Sequence, residues 1–161
     1  MNFRKFALGV AATAALVFQG SAWAHDYKAG QIEVDDLWVR ATAPGQVNGA
    51  GYMDIENNGA TNDRLVAVRS GVSQTVELHQ TATTNGVSTM RKVDGMEVPA
   101  HSEVKFVPGG NHVMFLNLKA PLQEGTTFPA TLVFEKAGSV DVQFKVKPLG
   151  HKASAAAHHG H

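Results

Sequence analysis

The chain contains no cysteine in its 161 residues. Disulfides, thiolate metal sites and thiol nucleophiles are therefore excluded. It also lacks an excess of either charge: 14 basic side chains stand against 14 acidic ones. That balance gives no electrostatic footprint for nucleic acid or for an anionic membrane surface. No G-x-S-x-G, P-loop or H-E-x-x-H segment occurs, so three common catalytic signatures are missing. Long apolar runs are scarce as well. The stretch Phe6–Phe18 is uncharged, but it is shorter than the roughly 20 residues that a membrane helix needs.

What is present begins with an export signal. Arg4 and Lys5 precede that apolar stretch, and Ala22-Trp23-Ala24 places small residues at the two positions a signal peptidase reads. Residues 1–24 are therefore expected to be removed, leaving a chain that starts at His25 in the periplasm. That chain keeps 12 basic and 14 acidic side chains, and with no cysteine it has no residue for a lipoprotein anchor. Its length suits one domain, expected over residues 25–148. After Pro148 the sequence turns to Gly, Ala, Ser and His with no apolar period, so residues 149–161 read as a flexible His-rich tail.

Between these ends the pattern is that of short strands. Runs rich in Val, Ile, Leu, Phe and Thr fall at Gln31–Arg40, Ala50–Asn57, Arg64–Arg69, Thr75–Gln80, Val87–Val93, Glu103–Val107, His112–Leu118, Ala130–Glu135 and Val140–Lys147. Asn85-Gly86, Asp94-Gly95, Pro108-Gly109-Gly110 and similar pairs punctuate them. Val140, Val142, Phe144 and Val146 alternate with polar neighbours, as a half-buried strand requires. About nine short strands with no convincing helix predict an all-β fold, an antiparallel sandwich or barrel.

Four residues stand out against that background. His79, Met90, His112 and Met114 read as H-x10-M-x21-H-x-M. A single strand Met is usually packing and a single His is usually surface or satisfied core; the set carries the signal. His112 and Met114, two apart in one strand, leave the same face. His79 and Met90 lie on either side of an expected turn over Thr81–Gly86. Thioether sulfur is soft and neutral and favours Cu(I), while imidazole suits copper broadly. The four together make a neutral ligand set that predicts Cu(I) over Cu(II).

On this spacing the chain resembles the periplasmic PCu(A)C copper chaperone family, whose motif H(M)-x10-M-x21-H-x-M is matched at all four positions. Trp38-Val39-Arg40-Ala41-Thr42, Gly49-Ala50-Gly51-Tyr52, Pro108-Gly109-Gly110-Asn111-His112 and Pro121-Leu122-Gln123-Glu124-Gly125 are also similar to that family. The resemblance spans roughly Tyr27 to Lys147. It implies a cupredoxin-like β-sandwich that binds Cu(I) and helps supply the CuA centre of cytochrome c oxidase, often alongside Sco-type proteins. The optional Met after the first His is Gln80 here, so one auxiliary thioether is absent.

Other groups admit both a metal and an ordinary reading. His151, His158, His159 and His161 could gather around Cu(II), or they could be a solvated tail. His25, as a new N-terminus, could chelate copper through amine and imidazole, or simply fray. Met96 could add a sulfur near the site, though a loop or packing role suits it better; His101 is expected to be exposed and Met53 structural. Trp38 and Arg40 are expected to pack. A blue-copper electron carrier would need a cysteine thiolate, so the leading expectation is a copper transfer protein and not an enzyme. Sequestration without a dedicated acceptor is the alternative. A copper oxidase built on His25 and the tail is a further rival.

Overall fold

The computed structural model describes residues 26–153, and every regular element among them is a strand. Eleven occur in order: β1 Tyr27–Ala29, β2 Ile32–Arg40, β3 Gly49–Asn57, β4 Asp63–Arg69, β5 Ser73–Thr84, β6 Val87–Val93, β7 Met96–Val98, β8 Ser102–Phe106, β9 Asn111–Leu118, β10 Thr127–Phe134 and β11 Gly138–Lys147. The nine expected strands all have counterparts. The two additions, β1 and β7, are three residues each, too short for an alternation of period two to announce itself.

Hydrogen bonding joins the strands in the order β6-β5-β9-β8-β3-β2-β11-β10-β4-β7, with β1 on β2 and a second pairing between β9 and β3. Most pairs are antiparallel, as expected. The exceptions are β11 against β2 and a single bridge between β8 and β9, both parallel. The strip folds over itself, because Phe115 of β9 meets Phe128 of β10 and Phe144 of β11 at ring-centroid distances of 5.3 and 5.5 Å. Those strands are not hydrogen-bonded neighbours, so the contacts bridge the two layers of a cupredoxin-like sandwich. Val34, Ile55, Leu65, Val113, Leu132 and Phe144 are fully buried between the layers. Met53 is in this core too, as expected.

Two turns fix the strands that carry the histidines and methionines. Asn85 and Gly86 both have positive φ, 51° and 78°, and Thr84 pairs with Val87 across them. This is the two-residue hairpin loop that an Asn-Gly pair favours. The turn expected over Thr81–Gly86 is therefore only Asn85-Gly86, and β5 continues through Thr81–Thr84. In the second turn Gly110 N–H donates to the Val107 carbonyl at 2.9 Å, with Gly109 at φ 83°. Proline followed by a positive-φ glycine is the signature of a type II turn, and it sets the start of β9.

A bulge in β2 shapes the outer face of the sheet. Asp35 pairs with Asp54 and Trp38 with Tyr52, so three steps on β2 match two on β3, with Asp36 at φ 45°. Asp35 and Asp54 thus face each other as like charges. Burial first, then the neighbouring Asp54, Asp26, Asp36 and Glu103, pushes the Asp35 carboxyl up from 3.8 to about 6. The folded state then holds more protons than the unfolded one between these values, so this carboxyl costs stability as pH rises through that window. Asp35→Asn is expected to leave stability at pH 4 nearly unchanged and to raise it by about 1 kcal/mol at pH 7.5, allowing for solvent screening of a half-exposed group. Urea unfolding at the two pH values checks this; an equal effect at both would refute it.

Candidate metal centre

The cluster is built on the outer face of β6-β5-β9, opposite the core. Along β5 the inward residue is Leu78 and the outward ones are Glu77, His79 and Thr81, by strand alternation. His79 pairs directly with His112 on β9, and Glu77 with Met114. On the other side His79 pairs with Lys92 and Thr81 with Met90 on β6. Antiparallel partners share a face, so His79, Met90, His112 and Met114 all project to one side. The sequence-selected four are thus brought together, across three adjacent strands.

Their environments differ. The His79 and His112 rings lie 5.6 Å apart between centroids and 49° out of plane. His112 is buried at 4% exposure, whereas Met90, on the exposed β6 hairpin, is 63% exposed. The His79 side chain is 17% exposed. Met114 is half-buried. A cavity of about 560 Å³ opens beside them, lined in part by Tyr52, Thr81, Met90, His112 and Met114. Residues of the Gly45–Asn48 segment line it as well. That segment is tied down where Leu118 N–H donates to the Val47 carbonyl and Asn117 N–H to Asn48 Oδ1.

Each imidazole has one nitrogen engaged and one without a partner. His79 Nε2 lies 2.8 Å from Glu77 Oε2, and His112 Nδ1 lies 3.0 Å from the Gly110 carbonyl. His79 Nδ1 and His112 Nε2 are buried with no hydrogen-bond partner. A buried polar atom left unpaired costs free energy unless something else binds it. Two such nitrogens beside two thioethers fit a soft, nitrogen-tolerant cation. Among the described residues no three His, Cys, Asp or Glu side chains converge, so a four-ligand shell here needs the sulfur atoms.

Other sequence candidates fall elsewhere. Gln80 alternates to the opposite side of β5, where it contacts Asn111 and Arg91, so that position does not face the histidine pair. Met96 is buried in β7 beside Leu65, at the far end of the strand order. His101 is exposed, at φ 52°. Trp38 packs on Tyr52 at 4.6 Å, with the Arg40 guanidinium 5.8 Å from its ring. His151 stands edge-on to Trp38 at 4.7 Å, and its carbonyl accepts from Arg40 Nε at 2.9 Å. His25, His158, His159 and His161 lie outside the described residues. Sequence reading missed Glu77 and Lys92; the E-x-H spacing of Glu77 and His79 within one strand was the available signal, since residues two apart share a face.

Fold and site together define a class: a small β-sandwich with a paired-histidine, paired-methionine cluster on its outer face. The chain belongs to the LpqE-like family, described as "Putative lipoprotein LpqE-like", whose model matches residues 32–146, and it groups with PCuAC copper-chaperone-like domains. It is 34% identical over 121 residues to "Putative lipoprotein Lxx21020" of Leifsonia xyli subsp. xyli, covering 74% of this chain and 72% of that protein. It is 33% identical over 113 residues to the uncharacterized protein RP573 of Rickettsia prowazekii, covering 68% of this chain and 62% of that protein. Among solved structures, the copper-bound PCuAC domain from PmoF2 is 31% identical, with a TM-score of 0.67, over 77% of this chain and 98% of that one. The Cu(I) form of DR1885 from Deinococcus radiodurans is 28% identical, with a TM-score of 0.59, over 69% and 74%.

Proposed function

We propose that this protein is a periplasmic copper chaperone that holds Cu(I) on His79, Met90, His112 and Met114 and passes it to an acceptor protein. One observation carries the reading: the cross-strand pair His79–His112 leaves a buried, unpartnered nitrogen on each ring, with Met90 and Met114 on the same face. Similarity to domains solved with copper bound supports it. Two imidazoles and two thioethers add no charge, so the ion remains a monocation, and neutral sulfur ligands exchange readily. Met90 stands exposed beside an open cavity. An incoming ligand can therefore displace it before the buried His112 lets go. The role is carriage of the ion, with no catalysed step.

The acceptor in this reading is the CuA subunit of cytochrome c oxidase, with a Sco-type protein as the companion partner. Residues 1–24 serve as the signal peptide and residues 25–148 as the copper domain. The tail after Pro148, with His151, His158, His159 and His161, supplies a separate Cu(II) site; His25 is a weaker candidate for the same ion. The alternative, sequestration, is favoured only by that His-rich tail. The experiment mixes Cu(I)-loaded protein with an apo CuA domain under anaerobic conditions and measures copper in each after separation. Delivery predicts that most of the copper moves to the CuA domain, and that a chain cut after Pro148 still delivers Cu(I) while losing Cu(II) uptake. Copper retained by the donor at equal concentrations would establish sequestration instead.

A further inference from the structure

We propose that Glu77, braced by Lys92, is the positioning residue of this centre: it fixes His79 as the Nε2–H tautomer, so that Nδ1 is the ligating atom, while His112 ligates through the opposite nitrogen, Nε2. The inference rests on the metal reading above and assigns the atoms within it. A carboxylate oxygen only accepts hydrogen bonds. With Glu77 Oε2 2.8 Å from His79 Nε2, the proton of the neutral ring sits on Nε2 and the lone pair on Nδ1. The Gly110 carbonyl imposes the reverse on His112: it too only accepts, so Nδ1 at 3.0 Å carries the proton and Nε2 keeps the lone pair. The two nitrogens freed in this way are the two buried atoms without partners.

Glu77 is itself held in place. Its second oxygen, Oε1, accepts from Lys92 Nζ at 3.2 Å, and Lys92 is the cross-strand partner of His79. Glu77 also pairs with Met114 across β5–β9, so one residue adjoins a histidine and a methionine of the cluster. A carboxylate behind an imidazole fixes its orientation more strongly than a neutral carbonyl does, so the two histidines are unequally held.

The test uses nitrogen-15 labelled protein and Ag(I), a closed-shell soft cation, as the probe. In the metal-free protein at pH 8, long-range proton–nitrogen correlation spectra are expected to show His79 as Nε2–H and His112 as Nδ1–H. One equivalent of Ag(I) should then give silver–nitrogen coupling to His79 Nδ1 and His112 Nε2. Glu77→Ala should give a mixed His79 tautomer and a 10–100-fold loss of Ag(I) affinity, the range for removing such a partner. Glu77→Gln, whose amide oxygen still accepts, should recover the tautomer. An Nδ1–H tautomer at His79, silver coupling to its Nε2, or Glu77→Ala affinity within threefold of the parent would overturn the proposal. If the assigned tautomers are present but the parent takes up no Ag(I), the metal reading fails and the positioning of His79 by Glu77 stands.

Discussion

Replacing His112 by leucine is expected to leave the metal-free protein at least as stable as the parent while lowering its Cu(I) affinity by more than about 100-fold, beyond the loss typical of an outer partner. His112 is 4% exposed and leaves Nε2 unpaired. Leucine of similar size removes that unsatisfied atom, whose desolvation costs about 1–3 kcal/mol. The hydrogen bond to the Gly110 carbonyl is lost in exchange, but that carbonyl still accepts from Thr81 N–H at 3.2 Å. The net change is expected between zero and about 1 kcal/mol in favour of the variant. A histidine kept for packing would behave the other way, destabilising the fold on replacement and leaving metal uptake alone. Urea unfolding of the metal-free proteins, with an anaerobic Cu(I) competition assay, separates the two cases. Stability given up at a site in return for function is the usual origin of such a sign.

The strand map was legible in the sequence, and so was the shared face of two of the four candidate residues. H-x10-M-x21-H-x-M names residue types and spacing, and strand alternation alone puts His112 and Met114 on one face. What the sequence could not supply was register. His79 opposite His112, and Thr81 opposite Met90, depend on β5 running unbroken through Thr84. Composition placed a turn over Thr81–Gly86 because Thr, Ala and Asn look alike in an exposed hairpin and in a loop. Burial could not correct that reading, since β6 is exposed at nearly every position. The bulge at Asp35–Trp38 was hidden for a related reason: an extra residue breaks the alternation from which strands are read. Glu77 and Lys92 were passed over because ion-paired surface residues look the same whether or not a histidine lies between them.

The parallel pairing of β11 with β2 was likewise beyond local pattern. Val140–Lys147 alternates just as an antiparallel strand would, and the direction of its partner is set by the path of the whole chain. This pairing matters for the site. It anchors β2, whose Trp38 packs on Tyr52, and Tyr52 walls the cavity beside His112 and Met114. The tail begins at the same place, with His151 against Trp38.

The second large effect concerns sulfur. Without cysteine, the soft character of the proposed centre rests on Met90 and Met114. Met90 is 63% exposed and has no packing role to lose; Met114 is half-buried at the cavity wall. The decisive measurement is an anaerobic Cu(I) competition titration of the parent and of the Met90→Ala plus Met114→Ala double variant. One tight equivalent is expected in the parent and its loss in the variant, at least 1,000-fold weaker or about 4 kcal/mol. Unchanged tight binding in the double variant would contradict a thioether-held ion and place the copper on His25 or on the tail.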